Sequence, residues 1–359
     1  MKKVLYALCA MLLLATTACK KENTPENGTP GGNGGNNGST EHPEVVPTGE
    51  GIFSPDQKIE TITVDGQLSE EWTWTNKKLT MIEKTDGATS FEYNGWRVSE
   101  MTTMLEGTPV DVEYAYDNND KLATVDAYSG NMHAVGIVFN HNNAAGKISD
   151  MSLNINSALL GMLSELIGNG GIPGFTKGMS KFSIENTDFN AHLTWQGDNV
   201  KRMILEGSVD INTTIDEASN LLSMMNIDSL GSFNLDSVIS TFSVLLTDSN
   251  LLVTIQLADT TDYTYDNANN PFYGYLGALD VTTFSANNVK TLLSSGTANI
   301  SITAHTWFGN QTIPLPMSYS LGTRSETYTY TYNNANYPLT VTVTDGDNTS
   351  SVKQYTYKQ

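Results

Sequence analysis

The sequence predicts an all-β fold: a large antiparallel meander of repeated hairpins, curling into a soluble barrel-like or strongly curved sheet of roughly sixteen strands, with two or three short helical inserts. Three observations predict it. A unit recurs along the chain: an aromatic, any residue, an aromatic, an Asn/Asp/Gly turn, then a basic or small residue and an aliphatic one. Its spacing is regular, since Tyr93 to Tyr116 and Tyr116 to Phe139 are each 23 residues, room for two strands and two turns. Near the C-terminus Tyr328, Tyr330 and Tyr332 share one strand face while Thr327, Thr329 and Thr331 share the other, as a sheet buried mainly on one side requires.

Residues 1–18 read as an export signal. Lys2 and Lys3 form the basic start, Val4 to Leu14 the apolar stretch, and Thr16-Thr17-Ala18 the small residues before Cys19. The apolar run is too short for a permanent membrane helix. Small residues directly before a cysteine resemble the lipobox of bacterial lipoproteins, in a relaxed form familiar in Bacteroidetes, with Thr16 where Leu is commonest. That resemblance implies cleavage before Cys19 and acylation of its thiol. Cys9 then leaves with the signal, and no thiol remains for disulfides, metal ligation or catalysis. An ordinary secretory signal is the alternative.

Residues 19–51 carry the anchor and then a Gly/Asn/Pro-rich run without apolar periodicity, which cannot bury enough surface to offset its chain entropy. They form a tether. Lys20, Lys21 and Glu22 after the cysteine loosely resemble the surface-export signal of Bacteroidetes lipoproteins, which implies an outer-membrane lipoprotein exposed on the cell surface, with the periplasmic face as the alternative.

Residues 52–359 form a single β domain. The repeat appears at Trp72/Trp74, Phe91/Tyr93, Tyr114/Tyr116, Phe139 with His141, Leu193/Trp195, Tyr263/Tyr265 and Tyr330/Tyr332. Asn and Asp after each pair tolerate the left-handed backbone of tight turns. Three segments break the period: 156–168, with Leu159, Leu160, Leu163, Leu166 and Ile167 at helical spacing; 214–225, opening on a capping-box-like Thr-Ile-Asp-Glu; and 235–246. They read as helices covering an end or face of the sheet; a buried strand over 238–246 is the alternative.

The aromatic-x-Tyr-Asp unit resembles the YD-type repeat, and a tethered lipoprotein built from it resembles uncharacterised Bacteroidetes lipoproteins with a porin-like fold. The resemblance covers most of residues 58–358 and implies a barrel-like fold. It implies no activity. A membrane porin would show lipid-facing apolar positions along whole strands and normally end on an aromatic; this chain ends Lys358-Gln359.

Composition narrows function further. With 39 acidic and 19 basic residues the formal charge is −20, a poor match for nucleic acid, and no basic patch is evident in the sequence. Gly168 to Gly174 lacks the third glycine of a dinucleotide loop, no Gly-x-Ser-x-Gly elbow occurs, and the five histidines stand without paired metal spacing. No cofactor is expected, and no enzyme activity. Calcium at Asp117-Asn118-Asn119-Asp120 or Asp345-Gly346-Asp347-Asn348 is a lesser option than plain turn chemistry. Trp72 and Trp74 read as core, whereas Trp96, after Asn94-Gly95, and Trp307, before Phe308-Gly309-Asn310, are the candidates for a ligand-binding surface. The expected function is a non-enzymatic, lipid-anchored envelope protein that binds a glycan or protein ligand. A carrier for a lipid or other apolar molecule is the alternative, and a glycan-active enzyme the third reading.

Overall fold

The computed structural model describes residues 49–358 except 106, 158, 162–182, 215–245 and 307–308. Sixteen antiparallel strands close into a barrel in which every strand pairs with its sequence neighbours and the first pairs with the last. They are β1 (Ile59–Val64), β2 (Gln67–Thr75), β3 (Lys78–Lys84), β4 (Gly87–Asn94), β5 (Arg97–Leu105), β6 (Thr108–Tyr116), β7 (Leu122–Ser129) and β8 (Met132–Asn140). Then follow β9 (Asp150–Ile155), β10 (Ser183–Gln196), β11 (Asn199–Thr214), β12 (Leu246–Asn269), β13 (Asn287–Thr306), β14 (Gly309–Tyr332), β15 (Pro338–Asp345) and β16 (Ser350–Tyr357).

Alternation decides which side of the wall is dry. On β12 and β13 the facing pairs Val253/Ile302, Ile255/Ile300 and Leu257/Ala298 point inward and are buried, while Thr254/Ser301 and Gln256/Asn299 point outward. The same rule places Trp72, Ile82, Phe91, Met101, Val112, Val125, Phe189 and Ile211 inside. Each such side chain contributes about 1.5–3 kcal/mol by leaving water. The outer wall carries threonine ladders, among them Thr264–Thr291 at 2.6 Å and Thr331–Thr340 at 2.7 Å, and a bidentate Arg202–Asp262 pair. It also carries a row of directly opposed carboxylates, Glu92, Glu100, Glu113 and Asp126, across β4 to β7. Burial, together with Glu92, Asp111 and Glu113, holds Glu100 above the usual carboxylate range. Interior apolar and exterior polar is the reverse of a lipid-embedded barrel.

A meander gives a barrel two unlike ends. Turns leading from even to odd strands lie at one end, called the near end, where the chain enters β1 and leaves β16. Turns from odd to even strands lie at the far end, and two of these are long: 156–182 and 215–245. All three expected helical inserts therefore belong to the far end. Of the first, residues 157 and 159–161 are helical, while Asn156 lies before the helix and donates to Ala134 O; Thr214 instead closes β11, Leu246 opens β12, and the remaining residues of the three segments lie outside the described ones.

Two stretches outside the sheet fill the near end. Residues 49–58 run in over the rim: Gly51 O accepts from Val98 N at 3.1 Å, Glu50 accepts from Leu122 N at 2.7 Å, and Phe53 is buried. Contact with the barrel thus begins before the expected boundary at residue 52. Residues 270–286, between β12 and β13, fold inward around a four-residue helix, Val281–Phe284, capped by Asp280, whose carboxylate accepts from Thr282 N and Thr283 N. Phe53, Trp72, Trp74, Phe272 and Tyr275 pack there with ring centroids 5.3–6.4 Å apart. Lower down, the wall must yield to one ring: a Cβ on Gly207 would lie 2.1 Å from Phe189, so glycine leaves the space that Phe189 occupies.

Candidate functional site

The repeat has a mechanical meaning at the near rim. In each of the eight strand pairs a ring on the even strand, or in the fourth just past its end, donates a hydrogen bond to a backbone carbonyl on the odd strand before it, or in the fifth just ahead of that strand's start. The bonds run Trp74 to Ile59, Tyr93 to Leu79, Tyr116 to Val98, His141 to Leu122, Trp195 to Ile148, Tyr265 to Val200, Tyr330 to Val289 and Tyr357 to Pro338, at 2.6–2.9 Å. An aromatic with a polar tip covers apolar surface and still satisfies a carbonyl at the strand end. Burial pushes the hydroxyls of Tyr93, Tyr116, Tyr265, Tyr330 and Tyr357 well above the ordinary tyrosine range, so all of them remain donors.

The basic residue of the unit belongs to the same clamp. Lys58 lies over the Trp74 ring, Lys78 over Tyr93, Arg97 over Tyr116 and Lys147 over Trp195, 4.9–5.7 Å from the centroids. Each cation–π contact at such a half-exposed site contributes about 0.5–1 kcal/mol. His141 takes the place of Tyr or Trp in the fourth unit. Its Nε2 bonds a carbonyl and so carries a proton, while Nδ1 is buried and has no hydrogen-bond partner among the described residues. Tyr116→Phe should lower stability by about 0.5–1.5 kcal/mol by stranding the Val98 carbonyl. Urea unfolding of the two proteins measures it, and equal midpoints would remove the belt from the account of stability.

Trp96 sits in the turn between β4 and β5, half-buried, with the Lys78 ammonium 5.1 Å over its ring. Trp307 lies outside the described residues, but its flanks Thr306 and Gly309 pair across the end of β13–β14, at the far end. Trp96 and the residues flanking Trp307 therefore lie at opposite ends of the barrel. Trp72 and Trp74 belong to the near-end core, as expected. Cys19 lies outside the described residues.

Two polar features escaped the sequence reading. A surface recess of about 400 Å³ opens beside the β6–β7 turn, lined by Asp117, Asn119, Lys121, His141 and Asn142. Backbone N–H groups of Lys121 and Asn119 hold the Asp117 carboxyl below its usual range. Beneath the aromatic plug, the inward positions of β2, β3 and β14 carry charge: Glu70 faces Lys84 across the ladder and accepts from Trp72 Nε1 at 2.8 Å, and Glu326 accepts from Tyr328 and Arg324. Among the described residues no group of three or more His, Cys, Asp or Glu is placed to hold a metal ion. No protein-family model matches this chain, and a search of curated proteins returns no match.

Proposed function

We propose that the chain is a lipid-tethered, non-enzymatic binding protein of the outer membrane that presents the far end of its barrel, on the cell surface, to a glycan or protein ligand. The inequality of the two ends carries this reading. The near end is clamped by the belt and filled by rings, and it is where the N-terminal segment enters; the far end bears the long connections and the turn with Trp307. Loops held at one end of a rigid scaffold are the usual place for recognition. A tether of about 30 residues, anchored at Cys19, spans roughly 30 Å and holds the near end toward the lipid. The inward charges at Glu70, Lys84 and Glu326 count against an apolar cargo along that wall, which ranks the carrier reading second.

Glycan arrays and capture of purified envelope proteins test the proposal. Trp307→Ala should weaken ligand binding tenfold or more, about 1.4 kcal/mol, while Trp96→Ala leaves it within twofold. Uniform failure on glycans and envelope proteins, or loss on Trp96→Ala alone, would overturn it.

A further inference from the structure

The fold assembles a basic patch that the sequence does not display. Lys58 immediately precedes β1, Lys77 lies in the β2–β3 turn and Lys78 opens β3, Arg97 follows Trp96 at the start of β5, and Lys358 follows β16. The closure of β16 on β1 brings the two ends of the domain together, with Lys358 N donating to Lys58 O at 2.9 Å. These residues occupy one unbroken run of the near rim, from β16 through β1 to β5. Lys77 and Lys358 are exposed. Among the described residues, Lys58, Lys78 and Lys358 make no ion pair; burial, and after it the nearby charges of Lys77 and Lys358, holds Lys58 below the ordinary lysine range.

Charge varies around the near rim and along the wall. Lysines gather on the run from β16 to β3, with Glu60 beside them at the start of β1; Arg97 pairs with Asp120 at 3.5 Å, and Asp117 and Asp198 stand at the later near-end turns. Glu71, Glu92 and Glu100 lie further down the outer wall, continuing into Glu113 and Asp126. Asp56 is the exposed carboxylate at rim level in the entering segment, and it lies toward Tyr337 at the β14–β15 turn. A chain of net charge −20 cannot lie flat on an anionic surface by such a wall; it can stand on its rim. The chain enters beside this patch, since the Gly49 backbone lies against Arg97, and forty-eight residues precede it.

We propose that this run of the near rim docks on an anionic phospholipid surface, with the exposed Lys77 and Lys358 facing the headgroups, Lys58 and Lys78 beside them over their rings, and Trp96 at their edge. The choice of occupant rests partly on the lipid-anchored reading above, but the docking itself needs no acyl chain. Each lysine near an anionic surface contributes about 1 kcal/mol at low ionic strength, roughly fivefold in partitioning. The lysines orient the barrel; they do not anchor it.

Co-sedimentation of the full mature chain carrying Cys19→Ser with vesicles tests this free of the anchor. Vesicles of equal parts phosphatidylglycerol and phosphatidylcholine should bind it at low ionic strength, and pure phosphatidylcholine should not. Lys77→Gln should cut partitioning about fivefold; Lys84→Gln, at the far-end turn after β3, should leave it unchanged. A brominated lipid should quench fluorescence that Trp96→Phe removes. Failure to bind anionic vesicles, equal loss with Lys84→Gln, or binding to a soluble polyanion without binding to vesicles would each overturn the proposal. None of those results touches the lipid anchor or the far-end ligand, which fractionation and ligand binding test separately.

Discussion

Trp72→Ala should destabilise the barrel by about 3–5 kcal/mol, the range for removing a large aromatic from a packed core. Trp72 is 2% exposed, and its ring meets Phe53, Trp74, Phe272 and Tyr275 at 5.3–6.3 Å. Four contacts come from three separate parts of the chain: the entering segment, β2 itself and the 270–286 insertion. The rings around the vacated space are held by their own strands and by the capped Val281–Phe284 turn, so collapse into it is limited. The indole also gives Glu70 a donor at 2.8 Å, and its loss leaves that carboxylate less satisfied inside the wall. Against total stabilities of about 5–15 kcal/mol the loss is large. Urea unfolding checks it, with Trp96→Ala as the surface control at about 1 kcal/mol or less. Equal losses in the two variants would mean that the near end is not a packed core.

The hairpins, their antiparallel order and the count of strands were legible because strand alternation and turn chemistry are local signals. Trp72 and Trp74 were readable as core because they share a face with the later tyrosines. What escaped depends on closure. The eighth clamp, Tyr357 on Pro338, has no turn after it to complete the motif, since the strand that follows β16 in space is β1. The seventh is made by Tyr330 rather than Tyr332, with a register shift between Thr331 and Tyr332; Tyr332 bonds Asp266 instead. His141 fills the place that Tyr or Trp takes in the other units, because the position demands a ring with a donor and imidazole qualifies. The 270–286 insertion is not among the segments singled out in the sequence, and only the barrel around it makes Tyr275 and Leu276 core. Charge follows the same logic: Lys58 and Lys358 are separated by nearly the whole domain in sequence and meet at the seam.

For the site, sequence separated core tryptophans from the others but could not place Trp96 and Trp307 on opposite ends. That assignment needs the parity of strands, which a single missed hairpin reverses. Trp96 is also partly covered by Lys78, a contact set by the neighbouring β2–β3 turn and not by its own segment.

The proposed function combines a barrel whose outer wall is polar with a lipid anchor at Cys19. Inward Val253, Ile255, Ile300 and Ile302 against outward Thr, Gln, Asn and Asp make the wall a poor surface for hydrocarbon. On the proposed lipoprotein reading, loss of Lys2 and Lys3 with the signal leaves 17 basic residues of 19 against 39 acidic, a net charge of −22. The rim lysines supply on the order of 1 kcal/mol each at low salt and less at physiological ionic strength, where the Debye length is about 8 Å. The several acyl chains expected of a bacterial lipoprotein hold far more firmly than any such patch. Fractionation of cells carrying Cys19→Ser, with circular dichroism of the recovered protein, is the direct test. The account predicts a soluble periplasmic protein with its β spectrum unchanged. Membrane retention of Cys19→Ser with the same spectrum would contradict it, because the wall itself would then be in the lipid.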